Sequence, residues 1–153
     1  MSTIQIITII KAPIAVIFDL NRNIDIHLLS TSQSKEKAIA GRTSGLIEKD
    51  ETVTWKAKHF GFYLTHQSFI PEMKKPLYFV DEMTKGQFKF FRHTHTFEQE
   101  DNFVIMTDHI VYETPFSFLG KLFDILVLKK YLTSFIQKRN HMIKELAENE
   151  KIA

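Results

Sequence analysis

The 153-residue chain contains no cysteine, which excludes a disulfide framework, a thiolate nucleophile and any Cys-based zinc site. Charge of one sign is scarce too: 20 Lys and Arg stand against 18 Asp and Glu, a formal net charge of +2. That balance, with no Lys/Arg block and no Arg–aromatic stripe, argues against nucleic acid as a partner. Long apolar runs are missing. Ile4 to Leu20 is interrupted by Gln5, Lys11, Pro13 and Asp19 and has no basic segment ahead of it. No run reaches membrane-spanning length, so no stable membrane insertion is expected and the cytoplasm is the expected compartment. Nor is there a Ser-His-Asp motif, a Gly-rich phosphate loop or a paired-carboxylate signature, and no cofactor is implied.

What the chain does have is phenylalanine, fourteen of them. Phe carries a large apolar area without a polar handle, so much aromatic surface must be buried or must line a cavity. The length suits one domain over 1–153, burying about 70% of its unfolded surface. Thr3 to Ile10 reads as a strand ended by Lys11-Ala12-Pro13, and Pro13 precedes a short helix over Ala15 to Leu20. A second short helix covers Ile24 to Leu29, and Ser30 to Lys37 reads as a loop. From Ala38 to Glu113, β-branched and aromatic runs alternate with turn residues at Gly41, Gly45, Lys49-Asp50, Gly61, Pro71, Lys74-Lys75-Pro76, Lys85-Gly86 and Glu100-Asp101-Asn102. This is the cadence of an antiparallel meander of about six strands. In Thr52 to Phe60, the residues Val53, Trp55, Ala57 and His59 share one face.

After Pro115 the pattern is helical. Leu128, Leu132, Phe135, Ile136, Met142, Ile143 and Leu146 form an inward stripe with Arg139 as its one polar intruder. The first turns, with Phe118, Leu119, Leu122, Phe123, Ile125, Leu126 and Val127, are apolar around the whole axis. Either the short helices and loops cover that surface, or it is a pocket gate, a dimer contact or a membrane-touching patch beside Lys129 and Lys130. The order strand, two short helices, six strands, long helix gives an α+β class. A curved seven-stranded sheet wraps the long C-terminal helix, with an internal cavity between them.

That element order resembles the START and birch-pollen-allergen helix-grip superfamily (SRPBCC), and the local wording is similar to its bacterial ligand-binding branch. The residues carrying the resemblance are Ile10-Lys11-Ala12-Pro13, Val16-Ile17-Phe18-Asp19-Leu20, Ala40-Gly41-Arg42-Thr43-Ser44-Gly45 and Val53-Thr54-Trp55-Lys56-Ala57-Lys58-His59-Phe60-Gly61. They continue with Tyr78-Phe79-Val80-Asp81-Glu82-Met83, Phe91-Arg92-His93-Thr94-His95-Thr96-Phe97, Met106-Thr107-Asp108, Tyr112-Glu113, Pro115 and Leu119-Gly120-Lys121-Leu122. The resemblance implies a ligand cavity in a group ranging over lipid carriers, hormone receptors, polyketide aromatases/cyclases and stress-response binders. It implies no single activity and transfers no catalytic motif.

The constellation that carries chemistry is on the strand around His93. His93 and His95 share a face with Phe91 and Phe97, while Arg92, Thr94 and Thr96 face away. An even-numbered turn at Glu100-Asp101 places Phe97 opposite Val104, His95 opposite Met106 and His93 opposite Asp108; an odd one flips the partner strand. Asp108 beside His93 would orient the ring and favour its charged form, as a general base or an anionic-ligand anchor needs. His59 adds a third imidazole, and Asp81 joins if the Lys85-Gly86 turn points it inward. His66 and His109 have no settled face, and His27 and His141 read as surface. A His-Asp pair inside a sheet is more often a structural hydrogen bond than a catalytic group. No ligand spacing specifies a metal, and none is expected.

Three functions follow in rank order. The first is binding of a small hydrophobic or amphipathic molecule lined by Trp55, His59, Asp81, Phe91, His93, His95, Phe97, Met106, Asp108 and Phe123. The second is a cyclase/aromatase- or hydrolase-like enzyme with His93 and Asp108 as its catalytic candidates. The third is an interaction protein, including a homodimer, acting through the apolar start of the last helix.

Overall fold

A computed structural model describes residues 1–149. Strand β1 (Ser2–Ile10) buries Ile4, Ile6 and Ile10 by simple alternation. Two short helices follow, α1 (Ile14–Arg22) and α2 (Ile24–Ser30). Asn23 ends the first in an extended conformation and caps the second, its side chain accepting from the backbone N–H groups of Asp25 and Ile26. A single 3-10 turn (Ser32–Ser34) leads into six strands: β2 (Lys37–Gly41), β3 (Thr52–His59), β4 (Phe62–Lys74), β5 (Tyr78–Lys85), β6 (Phe90–Gln99) and β7 (Val104–Glu113).

The sheet is antiparallel with spatial order β1-β7-β6-β5-β4-β3-β2. The meander therefore runs in sequence order, and β1 closes it by pairing with β7 from Ser2↔Tyr112 to Ile10↔Val104. Register shifts in β2 and β4 mark bulges, which bend a sheet and increase its twist. Pro71, expected in a turn, instead lies within the long β4, where the pairing jumps from Phe69↔Glu82 to Glu72↔Val80. A bulge tolerates a residue without an N–H, so the strand runs on. The β3–β4 turn is tight. Phe60 and Gly61 have φ of 50° and 82° between the pair His59↔Phe62, as a two-residue hairpin loop requires.

The C-terminal helix is built in three pieces rather than one: α3 (Ser117–Phe123), a π-helical turn (Asp124–Leu128) and α4 (Lys129–Asn149). The wide turn coincides with Asp124, whose buried carboxylate accepts from the hydroxyls of Tyr112 and Ser2 and ties the helix to the end of the sheet. Helix α4 packs on β1, α1 and α2. The seven-stranded antiparallel sheet and the long C-terminal helix are those of the expected α+β helix-grip architecture.

Candidate functional site

The apolar core is divided in two. One cluster holds Ile10, Phe18, Val53, Trp55, Phe79, Phe97, Met106 and Ile143 among others. The other holds Ile4, Ile6, Ile110, Tyr112, Leu128 and Ile136, with Phe88, Phe91, Leu132 and Phe135 half-buried beside them. On each element polar residues separate the two: Thr8 on β1, Asp108 on β7, His93 and His95 on β6, and Arg139 and Asn140 on α4. Asp81 on β5 faces the same way, since it pairs directly with His93. A polar belt thus crosses the concave face and meets the helix.

Asp108 is the belt's centre. It is fully buried and accepts from His93 Nε2 at 2.7 Å and from Asn140 Nδ2 at 2.6 Å. His95 Nδ1 stands 3.2 Å from the same oxygen as His93, and Arg139 Nη1 stands 3.7 Å from it. Burial raises the pKa of Asp108, but the hydrogen bond from His93 and the close approach of the His95 ring outweigh it and hold the carboxyl well below its usual value. Burial first, and then the His93 charge, push His95 down to about 3, so it is neutral at physiological pH. Arg139, buried against Asp108, donates also to Asn21 Oδ1 at 3.0 Å and to Asn140 Oδ1 at 3.2 Å. Burial lowers its pKa, opposed by Asp108, Asp81 and Glu36.

Towards the β3–β4 side the polar groups are less covered. Glu36 accepts from His27 Nε2 at 2.7 Å, and the His27 ring packs at a tilt against Trp55, 4.2 Å between centroids. Burial raises the Glu36 pKa, but His27 more than offsets this and keeps it low. His59 Nδ1 and the Tyr131 hydroxyl share a 2.5 Å hydrogen bond, with Phe135 edge-on to the imidazole. His66 pairs across the strand with Trp55 and meets the edge of Phe91. Burial lowers the pKa of both His59 and His66. Two buried side-chain atoms in this interior have no hydrogen-bond partner, Asp81 Oδ1 and His95 Nδ1.

The expected His93–Asp108 contact is present, but the register is not the expected one. The β6–β7 turn is even-numbered yet two residues tighter, so His95 lies opposite Asp108, Phe97 opposite Met106 and Gln99 opposite Val104. His93 reaches Asp108 diagonally. Trp55, His59, Asp81, Phe91, His93, His95 and Asp108 all converge on the concave face. Phe97 and Met106 sit deeper, packed into the first cluster with Phe18 and Phe79. Phe123 lies outside, half-exposed against Phe60. His27 is half-buried on Trp55 rather than a surface group, because α2 folds over the end of β3. Sequence reasoning did not find Glu36, Tyr131 and Asn140. Its one usable signal was Arg139, since a charge in an inward stripe demands a buried partner.

The ligand-capable atoms of His93, His95 and Asp108 lie within 4.8 Å of one another, so among the described residues these three are the ones that could hold a metal. The Arg139 guanidinium beside the same oxygen opposes a cation there. Two clefts open at the rim. One of about 530 Å³ lies along Gly41–Ser44 and Asp50–Thr52, and one of about 310 Å³ lies between Met1, Tyr112, Pro115, Lys121 and Asp124.

No protein-family model and no curated protein matches this chain. Solved structures do. TTHA0849 from Thermus thermophilus matches with a TM-score of 0.72 at 16% identity, covering 93% of this chain and 97% of its own. Ginseng major latex-like protein 151 from Panax ginseng gives 0.70 at 15%, covering 95% and 97%. A START superfamily protein from Mycobacterium smegmatis gives 0.71 at 9%, with the same coverage. The likeness shows the helix-grip fold shared by START and latex-like proteins, the fold the element order implied.

Proposed function

We propose that this protein binds a small amphipathic molecule between its sheet and α4. The apolar body lies against Phe88, Phe91, Leu132 and Phe135, and the polar end reaches Asp81 and His93 on the belt. One observation carries this reading: Asp81 Oδ1 is buried on the concave face with no protein donor. An unmet buried acceptor costs about 1–3 kcal/mol, and such a group persists where something else satisfies it. The second support is uneven burial. The concave-face residues Leu64, His66, Asp81, Met83 and Phe91 stay half-buried, whereas those around Phe97 and Met106 are fully packed.

The interior charges narrow the ligand. With His59, His66 and His95 neutral, Arg139 is spent on Asp108, and Glu36 is matched by His27. Asp81 is left as the unanswered acceptor, so the ligand's polar end is a hydrogen-bond donor, an amine or a hydroxyl, rather than a carboxylate. Native mass spectrometry of protein purified from cells tests the reading. A stoichiometric adduct that disappears on denaturation and is absent in Asp81→Leu supports it. Bare protein that also fails to take up octylamine or octanol contradicts it.

A second reading rests on the 2.7 Å His93–Asp108 bond, which orients the imidazole as a general base requires. It asks for turnover that His93→Ala abolishes without lowering the melting temperature. Loss of stability alone would make the pair structural.

A further inference from the structure

The surface left open at the start of the C-terminal helix is unusual in area and in charge. Phe118, Leu119 and Ile125 are 75%, 70% and 73% exposed, and Leu126 is exposed beside them. The expectation that the short helices or loops cover this surface is therefore not met. The β3–β4 hairpin extends the same face: Phe60 packs on Phe123 at 5.6 Å between ring centroids, and Phe62 is 71% exposed. Phe60 and Phe116 are both held in left-handed backbone, with φ of 50° and 66°. Bulky residues adopt this conformation only at a cost in strain, and both rings stand exposed. A contiguous apolar face of this kind marks an interaction site.

Its charges decide the occupant. Residues 52–67 and 114–138 carry Lys56, Lys58, Lys121, Lys129, Lys130 and Lys138 but only one carboxylate, Asp124; Glu113, just before them and beside Lys121, is already paired with Lys89. Asp124 is buried and held by Tyr112 and Ser2, so it neutralises nothing at the surface. A second copy docking through this face would set lysines against lysines with no unpaired carboxylate between them. An anionic bilayer answers both features. It accepts apolar side chains into its headgroup region and attracts the flanking lysines. No described helix is long and apolar enough to cross a membrane. We propose that α3, the π turn and the β3–β4 hairpin form a peripheral docking surface for anionic lipid membranes. The face adjoins the concave side through Phe60, which packs at a tilt on Tyr131, the partner of His59. A docked molecule thus presents its binding region to the lipid. Docking does not depend on the ligand proposed above, because vesicles alone test it.

The experiment is co-sedimentation of the full chain with phosphatidylserine-containing vesicles and with pure phosphatidylcholine vesicles, at about 0.1 M and about 0.5 M salt. Binding to the anionic vesicles, weakened by salt, is expected. Lys129→Ala with Lys130→Ala lowers it about thirtyfold. Leu119→Asp with Ile125→Asp removes it with an unchanged melting temperature, since both side chains are exposed. Three results would overturn the proposal: no association with either vesicle, equal association in all variants, or a concentration-dependent dimer in light scattering that Ile125→Asp dissociates.

Discussion

Asp108 keeps its charge in the interior because His93, Asn140, His95 and Arg139 surround one carboxylate. Breaking that ring is costly. Arg139→Met, which fills the volume but leaves Asp108 and Asn21 short of a donor, should destabilise the fold by about 3 kcal/mol. Urea denaturation measures it, and a change below about 1 kcal/mol would mean the ring is not a unit. The histidines act in the opposite sense. His95 titrates near pH 3 when folded and near 6.5 when unfolded, so below about pH 6.5 the unfolded chain takes up the proton first. Stability should then fall by about 1.4 kcal/mol per pH unit on this residue's account, down to its folded pKa. Asp108 adds to the loss only below about pH 4, where the unfolded carboxylate takes up a proton that the folded one, held low, does not. Denaturation curves at about pH 7.5 and about pH 5 should show the slope, and His95→Phe should flatten it. An unchanged slope in that variant would place the proton uptake elsewhere. The inward facing of His93 and His95 was legible because period two in a strand fixes a face, while that of Asp108 hung on an even-numbered turn. The ring was not, because Asn21, Asp108 and Arg139 are brought together only by tertiary packing.

The elements were legible where local chemistry punctuates them. Pro13 opens α1, Gly61 takes the left-handed position of the hairpin, and Lys85-Gly86 ends β5. What the chain hides is set by longer-range fit. Pro71 reads as a turn but sits at a bulge, and one continuous helix pattern conceals a π turn anchored by Asp124. The two-residue error in the β6–β7 register came from loop length, which alternation does not encode. Gly120 gives an element-scale test. A Cβ there would stand 1.8 Å from the Pro115 carbonyl oxygen and 2.9 Å from Thr114 Oγ1, so α3 is seated on the turn before it only because this residue has no side chain. Gly120→Ala should cost about 1–3 kcal/mol by displacing α3, despite the better helix propensity of alanine. Thermal melting would show it, and a neutral or stabilised variant would mean that α3 is not seated there.

At the scale of the molecule, the helix-grip architecture sets two apolar clusters apart with a polar belt between them, and leaves one side of the concave face half-buried. Asp81 lies where a ligand's polar end would meet the belt, and retaining an acceptor without a donor is a cost that a pure scaffold has no reason to bear. Asp81→Leu should therefore raise the melting temperature while weakening ligand binding, the usual opposition between stability and a functional site. A drop in melting temperature would show that the protein itself satisfies this carboxylate. Calorimetric titration with octylamine and with octanoate, on the unmodified protein and on Asp81→Leu, tests the central claim most directly. One site per chain is expected, with the amine bound at least about tenfold more tightly than the carboxylate and that preference lost in the variant. No binding of either probe, or a preference for octanoate that survives Asp81→Leu, would contradict it.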